Sequence, residues 1–146
     1  MRAVILLDTN VLSALMQREP DQTVVVWLDK QPPESIWTTS ITVFEVRMGL
    51  ELLAKGRRRA RLEHEFDRLL AEELDGRVQV FDSVAADAAG TIAASGQRAD
   101  RTVEIRDVQI AGIASARKAT LATRNARHFE NLGIPLIDPW HGSQTA

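Results

Sequence analysis

Apolar residues along this chain come in short runs separated by polar breaks. Ala3–Leu7 is an unbroken apolar run of five residues, the pattern of a strand buried on both faces. Val11–Met16 and Thr23–Lys30 read as short helices, the second closed by Pro32-Pro33. Ile36–Thr38 reads as a second strand, and Thr42–Leu53 as a helix ended by Gly56. Over Arg57–Leu74 the residues Leu62, Phe66, Leu69, Leu70 and Leu74 fall on one stripe, which predicts a long helix with a single core-facing side, stopped by Gly76. Val78–Phe81 is a third strand, and Ser83 is placed to cap a helix over Val84–Ala94. Gly96–Arg101 reads as a polar loop, and a helix runs through Asp107–Arg117. Thr120–Thr123 and Leu136–Ile137 supply a fourth and a fifth strand, and the small polar residues after Trp140 predict a frayed tail over about 141–146. Strands alternating with helices predict an α/β fold: a mainly parallel sheet of four to five short strands with helices on both faces, one domain over residues 1–146.

Three acids stand where this pattern asks for something else. Asp8 follows Val4-Ile5-Leu6-Leu7 directly, at the carboxyl end of the first strand, where open parallel sheets bind ligands. Its competing role is an Asx-turn or N-cap, for which Asn10 is the better-placed residue. Glu45 shares its helix face with Met48, Gly49 and Leu52, which predicts that it points toward the core side; alternatively Thr42-x-x-Glu45 is a capping box. Asp107 shares its face with Ile110, Ala111 and Ala114, and alternatively is a first-turn acid favoured by the helix dipole. Buried carboxylates are costly unless paired or bound to a cation. Three of them aimed inward predict a shared positive charge, and a hard divalent cation with oxygen ligands supplies it. Past the fourth strand, Thr123-Arg124-Asn125 adds polar groups at the same sheet edge, with Asn125 either a ligand or a turn residue.

Charge and composition narrow the classes. The net charge of −2 does not favour a protein that works mainly by gripping phosphate backbones, although an acidic pocket would itself lower the sum. There is no cysteine, so a disulfide framework and a thiolate metal site are excluded. No stretch reaches the roughly 20 apolar residues of a bilayer span, and the opening apolar run is too short for a secretory signal; the expected location is the cytoplasm, with no membrane partner. His64, His128 and His141 lack ligand spacing, though His128 lies near Asn125, and Gly90, Gly96 and Gly112 lack the spacing of a phosphate loop. The basic run Lys55–Arg61 is either solvated helix surface or a grip for an anionic partner. Arg124 and Arg127 are better placed for substrate phosphates, with Asn10 and Thr123 as further candidate substrate contacts.

Four segments carry a resemblance. Val4–Ser13, Ser40–Val46, Asp107–Ala114, and Leu121–Asn125 with His128-Phe129 resemble, in order and spacing, the four motifs of PIN domains; length and the Thr-Arg-Asn segment resemble the VapC/FitB-type toxins of bacterial type II toxin–antitoxin pairs. The resemblance implies a PIN-like three-layer α/β/α fold and metal-dependent endoribonuclease activity with Mg²⁺ or Mn²⁺. It implies that Asp8, Glu45 and Asp107 are the catalytic acids and metal ligands, with Asn125 at the fourth position. It further implies homodimers, alone or in a larger assembly, a cognate antitoxin that blocks the site, and operator DNA bound only through that antitoxin. Two departures stand out: His128 replaces an acid that many relatives carry, and Gln97–Thr102 lacks the usual glycine-basic turn. Two rival readings remain at this stage. An aspartyl-nucleophile phosphatase would usually place a second Asp where Asn10 stands, and a non-catalytic PIN-like module would bind RNA or protein without cutting.

Overall fold

A computed structural model describes residues 3–141 and the backbone of 143–145. The sheet has the order β3-β2-β1-β4-β5-β6. Strand β1 (Ile5–Leu7) pairs in parallel with β2 (Ile36–Thr39) and β4 (Thr120–Ala122), β2 pairs with β3 (Val78–Gln79), and β4 pairs with β5 (Leu136–Asp138). These five are parallel, as the alternation of strands and helices predicts. Strand β6 (Ser143–Thr145) joins β5 antiparallel, so the stretch read as a frayed tail includes three residues whose backbone finds partners on an open strand edge; Gly142 and Ala146 lie outside the described residues.

The helices are α1 (Thr9–Met16), α2 (Gln22–Asp29), α3 (Ser40–Leu52), α4 (Arg57–Arg68), α5 (Ser83–Arg98), α6 (Ile105–Arg117) and α7 (Ala126–Phe129). Adjacent strand residues point to opposite faces, and this alternation divides the core in two. Leu7 and Ala122 join Leu12, Leu50, Phe66 and Leu74 in the layer formed with α1–α4. Leu6 and Leu121 join Ala85, Ile110, Ala111 and Ile113 in the layer formed with α5 and α6. Within the second layer, the contact between α5 and α6 is made by small residues. A Cβ on Gly112 would lie 2.5 Å from the Ala85 carbonyl oxygen and 2.7 Å from the Ala89 Cβ, so glycine is what lets α6 approach α5. No helix among the described residues is long and apolar enough to cross a membrane.

Four local expectations change. The long helix expected over Arg57–Leu74 is α-helical only to Arg68; Leu69–Glu73 is a π turn, in which the Leu74 N–H donates to the Leu69 carbonyl at 2.9 Å. Helix α5 continues to Arg98 instead of ending near Ala94, because Gly96 is buried against Val103 and carries the chain through residues whose polarity suggested a loop. Its N-cap is Asp82, whose Oδ1 accepts from the Ala85 N–H at 3.0 Å, not Ser83. Helix α3 buries Thr42, Val46 and Leu50, whereas Phe44, Met48 and Leu52 are 55%, 39% and 79% exposed. The apolar face shared by Glu45, Met48, Gly49 and Leu52 is therefore not the core side.

Candidate active site

Asp8 ends β1 and opens α1. It is buried, and it caps the helix itself: its Oδ1 accepts from the Thr9 N–H at 2.9 Å. Asn10, expected as the cap, instead lies within the first turn, where it ties two segments together. Its Nδ2 donates to Thr123 Oγ1 at 3.3 Å and to Asp8 Oδ2 at 3.4 Å, and its Oδ1 accepts from the Arg124 N–H at 3.0 Å. Thr123, fully buried just past β4, donates its hydroxyl to Asp8 Oδ2 at 2.8 Å. This contact follows from strand order: β1 and β4 are neighbours in register, and the Asp8 N–H donates to the Ala122 carbonyl at 3.0 Å. Asn10 and Thr123 thus both hold Asp8 in place.

Glu45 enters from the opposite side, on α3. The N-cap of that helix is Thr39, which accepts from the Thr42 N–H at 3.0 Å, so the Thr42–Glu45 capping box is not formed. Glu45 is free to reach outward: its Oε1 accepts from the Thr9 hydroxyl at 3.5 Å, and its Oε2 lies 3.6 Å from Arg106 Nη1. Asp107 sits in the first turn of α6, whose Ile110, Ala111 and Ala114 are buried as the spacing predicts. Its Oδ2 is 3.6 Å from His128 Nδ1.

The three acids feel one another. Burial raises the Asp8 carboxyl above its ordinary range, against the lowering pull of the Thr123, Thr9 and Asn10 hydrogen bonds. Burial also raises Glu45, and the charges of Asp8 and Asp107 raise it further while Arg106 opposes them. Asp107 is raised by burial and by Asp8 and Glu104, with His128 opposing. Among the described residues, however, no three His, Asp or Glu side chains close to ligating distance around one point. Glu45 instead faces the Arg106 guanidinium and Asp107 the His128 ring, each at 3.6 Å. The donor chemistry still suits a hard divalent cation, since three carboxylates share one end of the sheet and raise one another's proton affinity.

Two clefts are each lined by one of the acids and a third by Asn10, the neighbour of Asp8. One, of about 420 Å³, is lined by Asp107, His128, Arg127 and the 101–104 segment. A second, of about 240 Å³, runs from Thr9 and Glu45 to Arg58. A third, of about 390 Å³, holds Asn10, Arg124 and Trp140, with the Arg124 guanidinium 4.5 Å above the Trp140 ring. A separate apolar cavity of about 130 Å³ beside the π turn touches none of Asp8, Glu45 and Asp107. Asn125 caps α7 and gives its backbone N–H to Thr123 Oγ1 at 3.0 Å, while the side chain that reaches Asp107 from this segment is His128. Of the basic run, Arg59 is spent on Glu51 and Glu63, and Arg61 donates to the Met16 carbonyl. Thr9 and Arg106 escaped the sequence reading. The signal for both was adjacency, one polar residue directly after Asp8 and one cation directly before Asp107.

With acids from β1, α3 and α6 at the carboxyl edge of a parallel sheet, the chain belongs to the PIN domain family: the PIN domain model matches residues 5–134. At 38% identity over 137 residues it resembles the plasmid stability protein StbB of Pseudomonas syringae pv. tomato, covering 94% of this chain and 99% of the relative. It is 35% identical to the VapC ribonuclease Y4jK of Sinorhizobium fredii, covering 94% and 98%. Its fold matches the crystal structure of FitAcB from Neisseria gonorrhoeae with a TM-score of 0.85 at 31% identity, over 94% of this chain and 99% of the other.

Proposed function

We propose that this chain is a metal-dependent endoribonuclease that acts as the toxin of a toxin–antitoxin pair in the cytoplasm. The observation that carries the reading is that Asp8, Glu45 and Asp107 lie near enough at one end of the sheet for the charge of Asp8 to raise the proton affinity of both others, each acid also being raised by burial. The family and the ribonuclease relative support the same chemistry.

Asp8 and Asp107 would hold Mg²⁺ or Mn²⁺, with Glu45 bound directly or through water. When bound, such an ion polarises a phosphoryl oxygen and lowers the pKa of a water to make a nucleophile near neutral pH. The chain's own work is orientation. Thr123 and the Thr9 N–H fix the two oxygens of Asp8. Arg124 and Arg127, on either side of the acids, contact backbone phosphates of the RNA. His128 balances Asp107, where many PIN domains place an acid.

The solved relatives FitAB, bound to a DNA fragment, and VapBC from Salmonella typhimurium, also DNA-bound, support a cognate antitoxin that closes the site and carries the pair to DNA. The exposed Phe44, Met48 and Leu52 on α3 give a partner, whether a second copy or the antitoxin, an apolar surface to cover.

The test is purified protein on a mixed RNA pool, with and without chelator, beside Asp107→Asn. Cleavage is expected only without chelator and only in the wild type, with both proteins melting cooperatively. An Asp107→Asn protein that cuts at the wild-type rate refutes the assignment, and a wild type that binds its partner but never cuts in excess Mn²⁺ leaves a binding module.

A further inference from the structure

The Gln97–Thr102 segment brings Arg101 to a cleft it shares with the third acid, Asp107. Helix α5 runs on to Arg98, and the 101–104 segment then folds over its end, with the Arg101 N–H donating to the Gly96 carbonyl at 2.9 Å. Opposite stand α7 and the turn after it. Between them lies the cleft of about 420 Å³, within the roughly 300–1,000 Å³ typical of small-molecule sites.

Its make-up is layered. Ile92, Val103 and Leu132 form an apolar floor. Arg101 and Arg127 stand on the rim, both exposed, and neither has an acid within ion-pair distance among the described residues. Asn131 adds an amide able to donate and accept. Asp107 and Glu104 form part of the wall, so the cleft is continuous with the acid cluster and the two guanidiniums face two acids across it. An apolar floor suits the face of an unstacked base, and two unpaired guanidiniums suit phosphate oxygens. A strongly anionic peptide would use the cations and leave the floor empty.

We propose that this cleft is a subsite for one ribonucleotide of single-stranded RNA, the nucleotide next to the scissile phosphate. Its base lies over Val103 and Leu132, its phosphate meets Arg101 and Arg127, and Asn131 reads the base edge. The subsite rests on the ribonuclease reading and gives it a determinant of sequence preference.

The experiment separates binding from cutting. Fluorescence anisotropy of a labelled single-stranded RNA decamer pool, in EDTA, compares wild type, Arg101→Ala/Arg127→Ala, and the control Arg18→Ala/Lys30→Ala, whose exposed residues line none of the clefts bordering the acids. Loss of both arginines from the one phosphate is expected to weaken binding about 10-fold beyond the control and to flatten the log–log salt dependence by about 0.7, the value for one phosphate on a single strand. With metal present, Asn131→Ala is expected to change the base preference at a single position beside the cut, and an unchanged preference at every position counts against the subsite. A double variant that matches the control while the wild type binds and cuts overturns the subsite alone. An oligoglutamate decapeptide that competes as well as RNA overturns it in favour of a peptide surface. A wild type that neither binds nor cuts the pool sinks the ribonuclease reading and the subsite with it.

Discussion

The two faces of the sheet hold their helices by opposite means. On the α1–α4 side, bulky side chains fill the space: Leu12, Leu50, Phe66 and Leu74 are buried in one cluster. On the α5–α6 side Leu6, Ile110, Ile113 and Leu121 fill the space against the sheet, but the two helices meet each other through Ala85, Ala89 and Gly112, with Gly112 allowing backbone to meet backbone. Asp107 rides on the second kind of packing and Glu45 on the first. The helix of Asp107 has no slack toward α5, whereas α3 has an outer face open to solvent, with Phe44 and Leu52 exposed. One acid is fixed by contact, and the other is carried on a helix with room beside it.

The contrast predicts opposite sensitivities. Phe66→Ala empties the bulky layer and is expected to cost about 3–5 kcal/mol, read as a lower midpoint in urea unfolding. At the small-residue contact between α5 and α6 enlargement is the damaging change. Gly112→Ala puts a Cβ into the Ala85 carbonyl and should cost about 1–3 kcal/mol. The same substitution at Gly49 in α3, where a Cβ meets nothing within 4 Å, should stabilise by about 0.5–1 kcal/mol. If both glycine substitutions move stability the same way, the contrast between the faces is wrong. Thr123→Val removes the hydroxyl that orients Asp8 and is expected to lower metal affinity about 10–100-fold, by titration calorimetry, without changing the fold.

The smallest effect concerns pH. A carboxyl whose proton affinity is raised by folding holds its proton more tightly in the native than in the unfolded chain. Its cost is absent below the ordinary Asp value of 3.8 and fully present once the pH exceeds the raised native value. Metal-free Asp8→Asn should therefore melt above metal-free wild type at pH 7, with the gap narrowing as the pH falls toward 4. A gap that widens on acidification, followed by calorimetry, contradicts the burial cost assigned to Asp8.

Legibility in the sequence followed how locally each feature is determined. Asp8 was visible because an acid ends an apolar run, and Asp107 because its partners Ile110, Ala111 and Ala114 are buried on one face. Glu45 was identified as a site residue on a mistaken premise. Its apolar neighbours Met48 and Leu52 are exposed, and apolar character does not by itself mean burial. The extension of α5 through Gly96 was hidden because its reason, Val103, lies outside the helix. The Arg106–Glu45 and Asn10–Thr123 contacts join residues 61 and 113 positions apart, as their residue numbers show, and strand order had to be known before either could be drawn.

The sheet also bears on how copies of this protein avoid one another. Its outermost strands, β3 and β6, are only two and three residues long. Borders that short offer little backbone to a visiting strand, so growth of one sheet into the next molecule's is discouraged from both sides. Association is left to helix surfaces, where side-chain identity decides who is admitted.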